Sequence, residues 1–234
     1  MKILGLDSSG LVASVAIIED TELRGEYTIN YKKTHSQTLL SMLDEVAKMI
    51  ELDLETIDAI AVAGGPGSFT GLRIGSATAK GLGLALKKPL IHVPTVDALA
   101  YNLAGHRSLV CPLMDARRNQ AYTGLYAFDG NQMRIVCEQC AVGIEEMIEK
   151  VNGQNREVVF LGDGVPVFTE YIKAHCKVPY TFAPPHMNKQ RAGAVAALGM
   201  VLYQNGIFES AAEHKPDYLR LSQAERELKE RQSE

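Results

Sequence analysis

The chain has 234 residues, 46% hydrophobic and 22% charged, with a formal net charge of −4. That composition describes a globular protein of one large domain or two small ones. The lack of a dense Lys/Arg run argues against unaided nucleic-acid binding. No apolar run reaches the roughly 20 residues of a membrane helix. The opening Met1–Asp7 turns polar too early for a signal peptide, so the expected location is the cytoplasm. The four cysteines fit reduced thiols. Cys137 and Cys140 form a CxxC, but no second ligand pair accompanies it, so a zinc reading is not supported.

Ile3–Asp7 reads as a short apolar strand ending in a carboxylate. Strands Val12–Ile18 and Leu23–Asn30 follow across a polar turn. A helix over about Ser36–Glu51 carries Leu39, Leu43, Val46 and Ile50 on one face. Strand Ala59–Ala63 then enters Gly64-Gly65-Pro66-Gly67, and a helix starts near Ser68–Thr70 and runs to about Leu86, with Ser68 or Thr70 as its cap. That helix contains Gly71, Gly75, Gly81 and Gly83. Each costs roughly 0.8–1 kcal/mol against alanine. Gly71, Gly75, Ala79 and Gly83 recur every four residues and form a small-residue stripe that invites close approach. The expected neighbour is another helix, of this chain or of a partner.

Strand Leu90–Val93 and a helix over about Thr95–Ala104 complete the first half. The second half repeats the order. It has strand Leu109–Asp115, a hairpin Ala121–Phe128/Met133–Cys137 across Asp129-Gly130, and helix Ile144–Val151. Strand Val158–Leu161, helix Val165–Cys176, the extended stretch Val178–Pro185 and a helix over about Asn188–Asn205 follow. Two βββαβα lobes, 1–106 and 107–234, make an α/β architecture. The charge-alternating Ala224–Arg231 reads as a helical tail.

This duplication resembles the actin, hexokinase and heat-shock chaperone ATPase superfamily, in which ATP lies between the lobes on two phosphate-binding turns. The first turn here is Asp7-Ser8-Ser9-Gly10, whose small residues leave backbone N–H groups free for an anion. Asp7 also suits an ordinary strand-end turn. The second, Asp115-Ala116-Arg117-Arg118-Asn119-Gln120, has no glycine where backbone should meet phosphate. The expected nucleotide site is weak or vestigial, with Asp7, Ser8, Ser9 and Gly10 facing it.

Asp7-Ser8-Ser9, the run Gly65–Gly75 and the late Pro216-Asp217-Tyr218-Leu219-Arg220 together resemble the TsaB family, also called YeaZ. The resemblance implies a non-catalytic subunit of the machinery that makes the threonylcarbamoyl modification of adenosine beside the anticodon of certain tRNAs. It implies pairing with the paralogue TsaD, which does the chemistry with a metal on an HxxxH motif, and with the ATPase TsaE. It also implies a homodimer in isolation and tRNA contact only through the complex. In TsaD the HxxxH follows the strand after the glycine helix; here that stretch, Pro94–Ala100, has no histidine. None of the six histidines stands three or four residues from another, so no helix-face metal pair is expected. The glycine run also lacks the Lys of a P-loop and the GxSxG of a nucleophile elbow. The expected partner surface joins the two N-terminal helices: Leu39, Met42, Leu43 and Val46 on the first, and Thr70, Gly71, Arg73, Ile74, Gly75, Thr78 and Ala79 on the second. The competing reading is an ATP-dependent small-molecule phosphotransferase of the same superfamily.

Overall fold

A computed structural model describes residues 1–31 and 35–219. The expected tail helix and Arg220 lie outside the described residues. The first half forms β1 (Lys2–Asp7), β2 (Val12–Glu19), β3 (Glu22–Asn30), α1 (His35–Met49), β4 (Ala59–Gly65), α2 (Phe69–Leu86), β5 (Leu90–Pro94) and α3 (Thr95–Tyr101). The second forms β6 (Leu109–Asp115), β7 (Gln120–Asp129), β8 (Gln132–Gly143), α4 (Ile144–Gly153), β9 (Val158–Leu161), α5 (Val165–His175), β10 (Tyr180–Phe182) and α6 (Ala192–Gln204).

The two sheets have matching orders, β3-β2-β1-β4-β5 and β8-β7-β6-β9-β10. In each, the first three strands pair antiparallel and the last two join in parallel. The correspondence reaches single residues. Gly65, at the end of β4, has φ 127°, and Gly162, just after β9, has φ 112°. Both positions require glycine, because backbone carbonyls (Asp217 and Leu113) stand 2.1 Å from where a Cβ would sit.

β1, β2 and β4 are buried on both faces, which explains their nearly unbroken apolar runs. One face of the first sheet packs Leu4, Leu6, Val15 and Val62 against α1 and α2. The other face packs Ile3, Ala61 and Val93 against Val195, Ala196 and Leu198 of α6, a helix from the second half. Gly5 and Gly199 let α6 lie close, since a Cβ at either would fall within 2.5 Å of Ala192 O or Ala61 Cβ. The second sheet packs α4 and α5 on one face, around Phe160 and Phe168. Val96, Leu99 and Ala100 of α3 pack with Val110, Tyr126 and Val159 of that sheet.

Polar ties fix these exchanges. The Glu26 carboxylate on β3 accepts from Arg191 Nε at 3.1 Å, from Arg191 NH2 and from the Gly193 backbone N–H at 3.0 Å. Ser14 Oγ accepts from the Ala192 N–H at 2.8 Å. On the other side, Tyr126 OH donates to Asp97 Oδ1 at 2.6 Å, with both side chains buried. Burial raises the Asp97 carboxyl above its ordinary range and the Tyr126 phenol with it. The folded state therefore holds a proton on Asp97 at pH values where the unfolded chain has lost it. That contribution to stability is full below the unfolded carboxylate range and is lost as pH rises through the folded value. An Asp97→Asn variant keeps the acceptor without the charge. Urea denaturation from pH 4 to pH 8 should show its stability gaining on the parent's as pH rises; a pH-independent difference refutes this.

Strand β8 extends past Cys137 to Gly143, longer than the pattern suggested, because Cys140 and Val142 still pair with Thr123 and Ala121 of β7 and pack on the second core. All four thiols are free, and burial pushes Cys111 up to about 12.

Candidate functional site

The three sequence motifs lie far apart in the chain and meet at one place, the junction of β1, β4 and α2. Ser68 caps α2, its Oγ accepting from the Gly71 N–H at 3.4 Å. The β1–β2 turn folds on itself and against this helix start. Asp7 Oδ1 accepts from the Ser9 N–H at 2.9 Å and from Ser9 Oγ at 2.7 Å. Ser8 Oγ donates to the Gly71 carbonyl at 2.8 Å, and the Ser68 N–H donates to the Ser9 carbonyl at 2.6 Å. A Cβ on Gly71 would lie 1.9 Å from Ser8 O, one on Gly75 2.6 Å from Ser8 Oγ, and one on Gly67 2.4 Å from Ser9 O.

A second segment of the chain covers the same loop. Glu209 pairs with Leu90 of β5 through both backbone groups, at 2.8 and 2.9 Å. Ala211 sits against Gly83, where an added Cβ would lie 3.0 Å from its Cβ. Lys80 Nζ donates to the Ala212 and His214 carbonyls, both at 3.1 Å. The Asp217 N–H donates to the Gly64 carbonyl at 2.6 Å. Tyr218 then stacks on Phe69 at 4.3 Å, and the Arg73 guanidinium lies 4.2 Å from the same Phe69 ring. Residues 209–218 thus form a strap from β5 across α2 to the glycine loop.

These contacts correct the expected partner of the glycine stripe. Gly71 and Gly75 receive the Ser8 turn, Ala79 is fully buried, and Gly83 receives Leu90 and Ala211. The close neighbours of these glycines are this chain's own turn, β5 and strap, not another helix. Leu39, Met42, Leu43 and Val46 are likewise core residues of the first lobe, at most 7% exposed, and offer no surface to a partner. Their apolar period reflects burial against β1 and β2, which a helical pattern alone does not distinguish from an interface. What α2 does present is Thr70 and Arg73, with Ile74 and Thr78 half-buried and Ala77, Gly81 and Leu84 exposed beside them. On α1, Leu40 and Met49 stand out at 55% and 84% exposed.

Asp7, Ser8, Ser9 and Gly10, expected to face a nucleotide, form a tight turn. The first three are buried, and the Ser9 N–H is taken by Asp7. Half-buried Gly10 faces the Gln190 amide, with Nε2 3.2 Å from its Cβ position. The second turn is exposed but awkward. Arg117, Arg118 and Asn119 all adopt left-handed backbone, at φ 65°, 55° and 58°, a conformation that costs roughly 1–2 kcal/mol per residue outside glycine and asparagine. Arg117 turns back onto Asp115, its NH1 donating to Oδ2 at 3.1 Å.

A sequence profile for tRNA N6-adenosine threonylcarbamoyltransferase, TsaD, matches residues 22–228. The tRNA threonylcarbamoyladenosine biosynthesis protein TsaB of Bacillus subtilis is 30% identical over 227 residues, covering 96% of both chains. The chain belongs to the TsaB family. The TsaB protein of Escherichia coli is 31% identical over 167 residues, 70% of this chain and 72% of that one. In three dimensions, YeaZ from Pseudomonas aeruginosa superimposes with a TM-score of 0.79 at 25% identity, over 93% of this chain and 99% of that one. For this member of the TsaB family, a metal on the helix after β5 does not suit the residues present. Thr95–Tyr101 has no histidine, and its acid, Asp97, is occupied by Tyr126.

The aromatic–guanidinium stack and the strap escaped the sequence reading. The signal for the strap was the Pro216–Arg220 motif itself, whose spacing gave no hint that it returns to α2.

Proposed function

We propose that the chain serves tRNA threonylcarbamoyladenosine biosynthesis as a non-catalytic subunit in the cytoplasm. It docks a TsaD-type catalytic protein through the exposed sides of α1 and α2 and works beside a TsaE-type ATPase, with tRNA reaching it only through the complex. The same surface pairs two copies when the catalytic partner is absent. The observation that carries this reading is the convergence of all three family motifs on a closed, self-satisfied junction. The Ser9 N–H of the first turn bonds to Asp7, the Ser68 N–H bonds to the Ser9 carbonyl, and the glycines admit the chain's own turn. The junction fixes the start of α2 within the chain, with Thr70, Arg73, Ala77 and Thr78 turned outward or half-buried. Rigid presentation of a helix lowers the ordering cost of binding.

An Ala77→Arg/Thr78→Arg double variant tests the surface. Neither residue is in the core, so melting should change little, because exposed substitutions usually stay within about 0.5 kcal/mol. Co-elution with the TsaD-type subunit on size exclusion should be lost, and with it tRNA modification in a reconstituted assay that omits each subunit in turn. An intact complex for the variant removes this surface. Micromolar ATP binding with turnover by the isolated chain would instead favour the phosphotransferase.

A further inference from the structure

The strap carries a cluster whose histidines are far apart in the chain. His92 on β5, Glu209 at the start of the strap and His214 near its middle come together, with one ligand-type atom from each lying within 4.8 Å of the others. His214 is 1% exposed. Its Nδ1 is 2.6 Å from Glu209 Oε1, while its Nε2 is buried with no hydrogen-bond partner. A buried nitrogen left without a partner is normally destabilising. The His92 ring lies 5.7 Å from the His214 ring, centroid to centroid. The Glu209 carboxylate thus already stands against one nitrogen of His214, and the other nitrogen is left over, so the cluster has ligand capacity to spare. Gly64 makes room for the ring, since a Cβ there would lie 2.2 Å from His92 Cε1.

We propose that His92, Glu209 and His214 bind a divalent transition-metal ion, Zn2+ by the combination of two borderline imidazoles with one carboxylate, and that the ion fastens the strap to β5. Two imidazoles and a carboxylate are a set that zinc accepts, with water completing a tetrahedron. Closing the site requires shifts of about an ångström, because ligands of one zinc stand nearer than 4.8 Å to one another. The role is structural and positional. The ion ties residues 209–214 down, and the strap beyond it carries Asp217 onto the glycine loop and Tyr218 onto Phe69. The site is separate from the helix surface proposed for the partner, so either can fail alone.

The test uses the full chain after chelator treatment. Calorimetric titration with Zn2+ should give one saturable site. Co2+ should give the visible bands of a tetrahedral nitrogen–oxygen site, without thiolate charge-transfer absorption. Glu209→Gln and His92→Gln should each weaken Zn2+ binding tenfold or more, and Cys137→Ser/Cys140→Ser should leave it unchanged. Hydrogen exchange should slow across residues 209–218 when Zn2+ is added. His214→Ala is the most direct change, but its site is buried. If it fails to fold, the Glu209→Gln and Co2+ results decide. Absence of a saturable site, binding abolished by the cysteine change, or affinity unmoved by both Glu209→Gln and His92→Gln overturns the proposal.

Discussion

Replacing Gly71 with alanine should cost the protein about 3 kcal/mol, although alanine is the better helix former by roughly 0.8–1 kcal/mol. The new Cβ would stand 1.9 Å from Ser8 O and 3.1 Å from Ser8 C. Those atoms are backbone, held by the Ser8 Oγ bond to Gly71 O and by the Ser9–Ser68 bond. Neither side can yield without breaking the junction, so the overpacking penalty lies at the top of its usual 1–3 kcal/mol range or above it. For a chain of this size each kcal/mol moves the melting temperature by about 2–4 °C, so the loss should be roughly 6–12 °C by calorimetry. Gly81→Ala on the same helix is the control. A Cβ there meets nothing within 4 Å, and this variant should melt about 2–4 °C higher. If Gly71→Ala also raised the melting temperature, the turn would not be pressed against the helix as described.

The second large effect belongs to Glu26. Its side chain is 10% exposed and accepts from Arg191 and from the Gly193 N–H at the start of α6. Truncation to alanine leaves a guanidinium and a backbone donor without their acceptor. Losing one partner of a buried ion pair costs about 3–5 kcal/mol. Arg191 keeps 31% exposure and can recover water, so about 2–3 kcal/mol is expected here. The melting temperature should fall by roughly 4–12 °C, and Glu26→Gln, which retains an acceptor, should lose less than half of that. A Glu26→Ala protein melting within a degree of the parent would mean that α6 needs no polar anchor.

Local chemistry made much of this fold readable. The period-two and period-3.6 patterns, the Ser68 cap and the repeated order of elements all act over a few residues, and the structure follows them closely. The glycine stripe was readable as a demand for close approach, but not for what approaches. Ser8 lies 63 residues before Gly71, and Ala211 lies far beyond Gly83; nothing in a helical period carries that distance. The same limit explains why Leu39, Met42, Leu43 and Val46 suggested an interface. An apolar face states that it must be covered and leaves the cover unnamed. It also explains why His92 and His214, on separate segments, gave no spacing to detect.

The position of α6 bears on how the chain is made. Its first sheet ends at Pro94, yet the helix that covers one face of that sheet ends only at Gln204, about 110 residues later. At the ordinary pace of synthesis, roughly 5–20 residues per second, that face waits about 5–20 s for its cover. Ile3, Ala61, Ile91 and Val93 stay open to water, or to a chaperone, for that interval. The N-terminal half cannot finish folding first and serve as a template for the rest. The nascent chain closes late, when α6 and then the strap arrive.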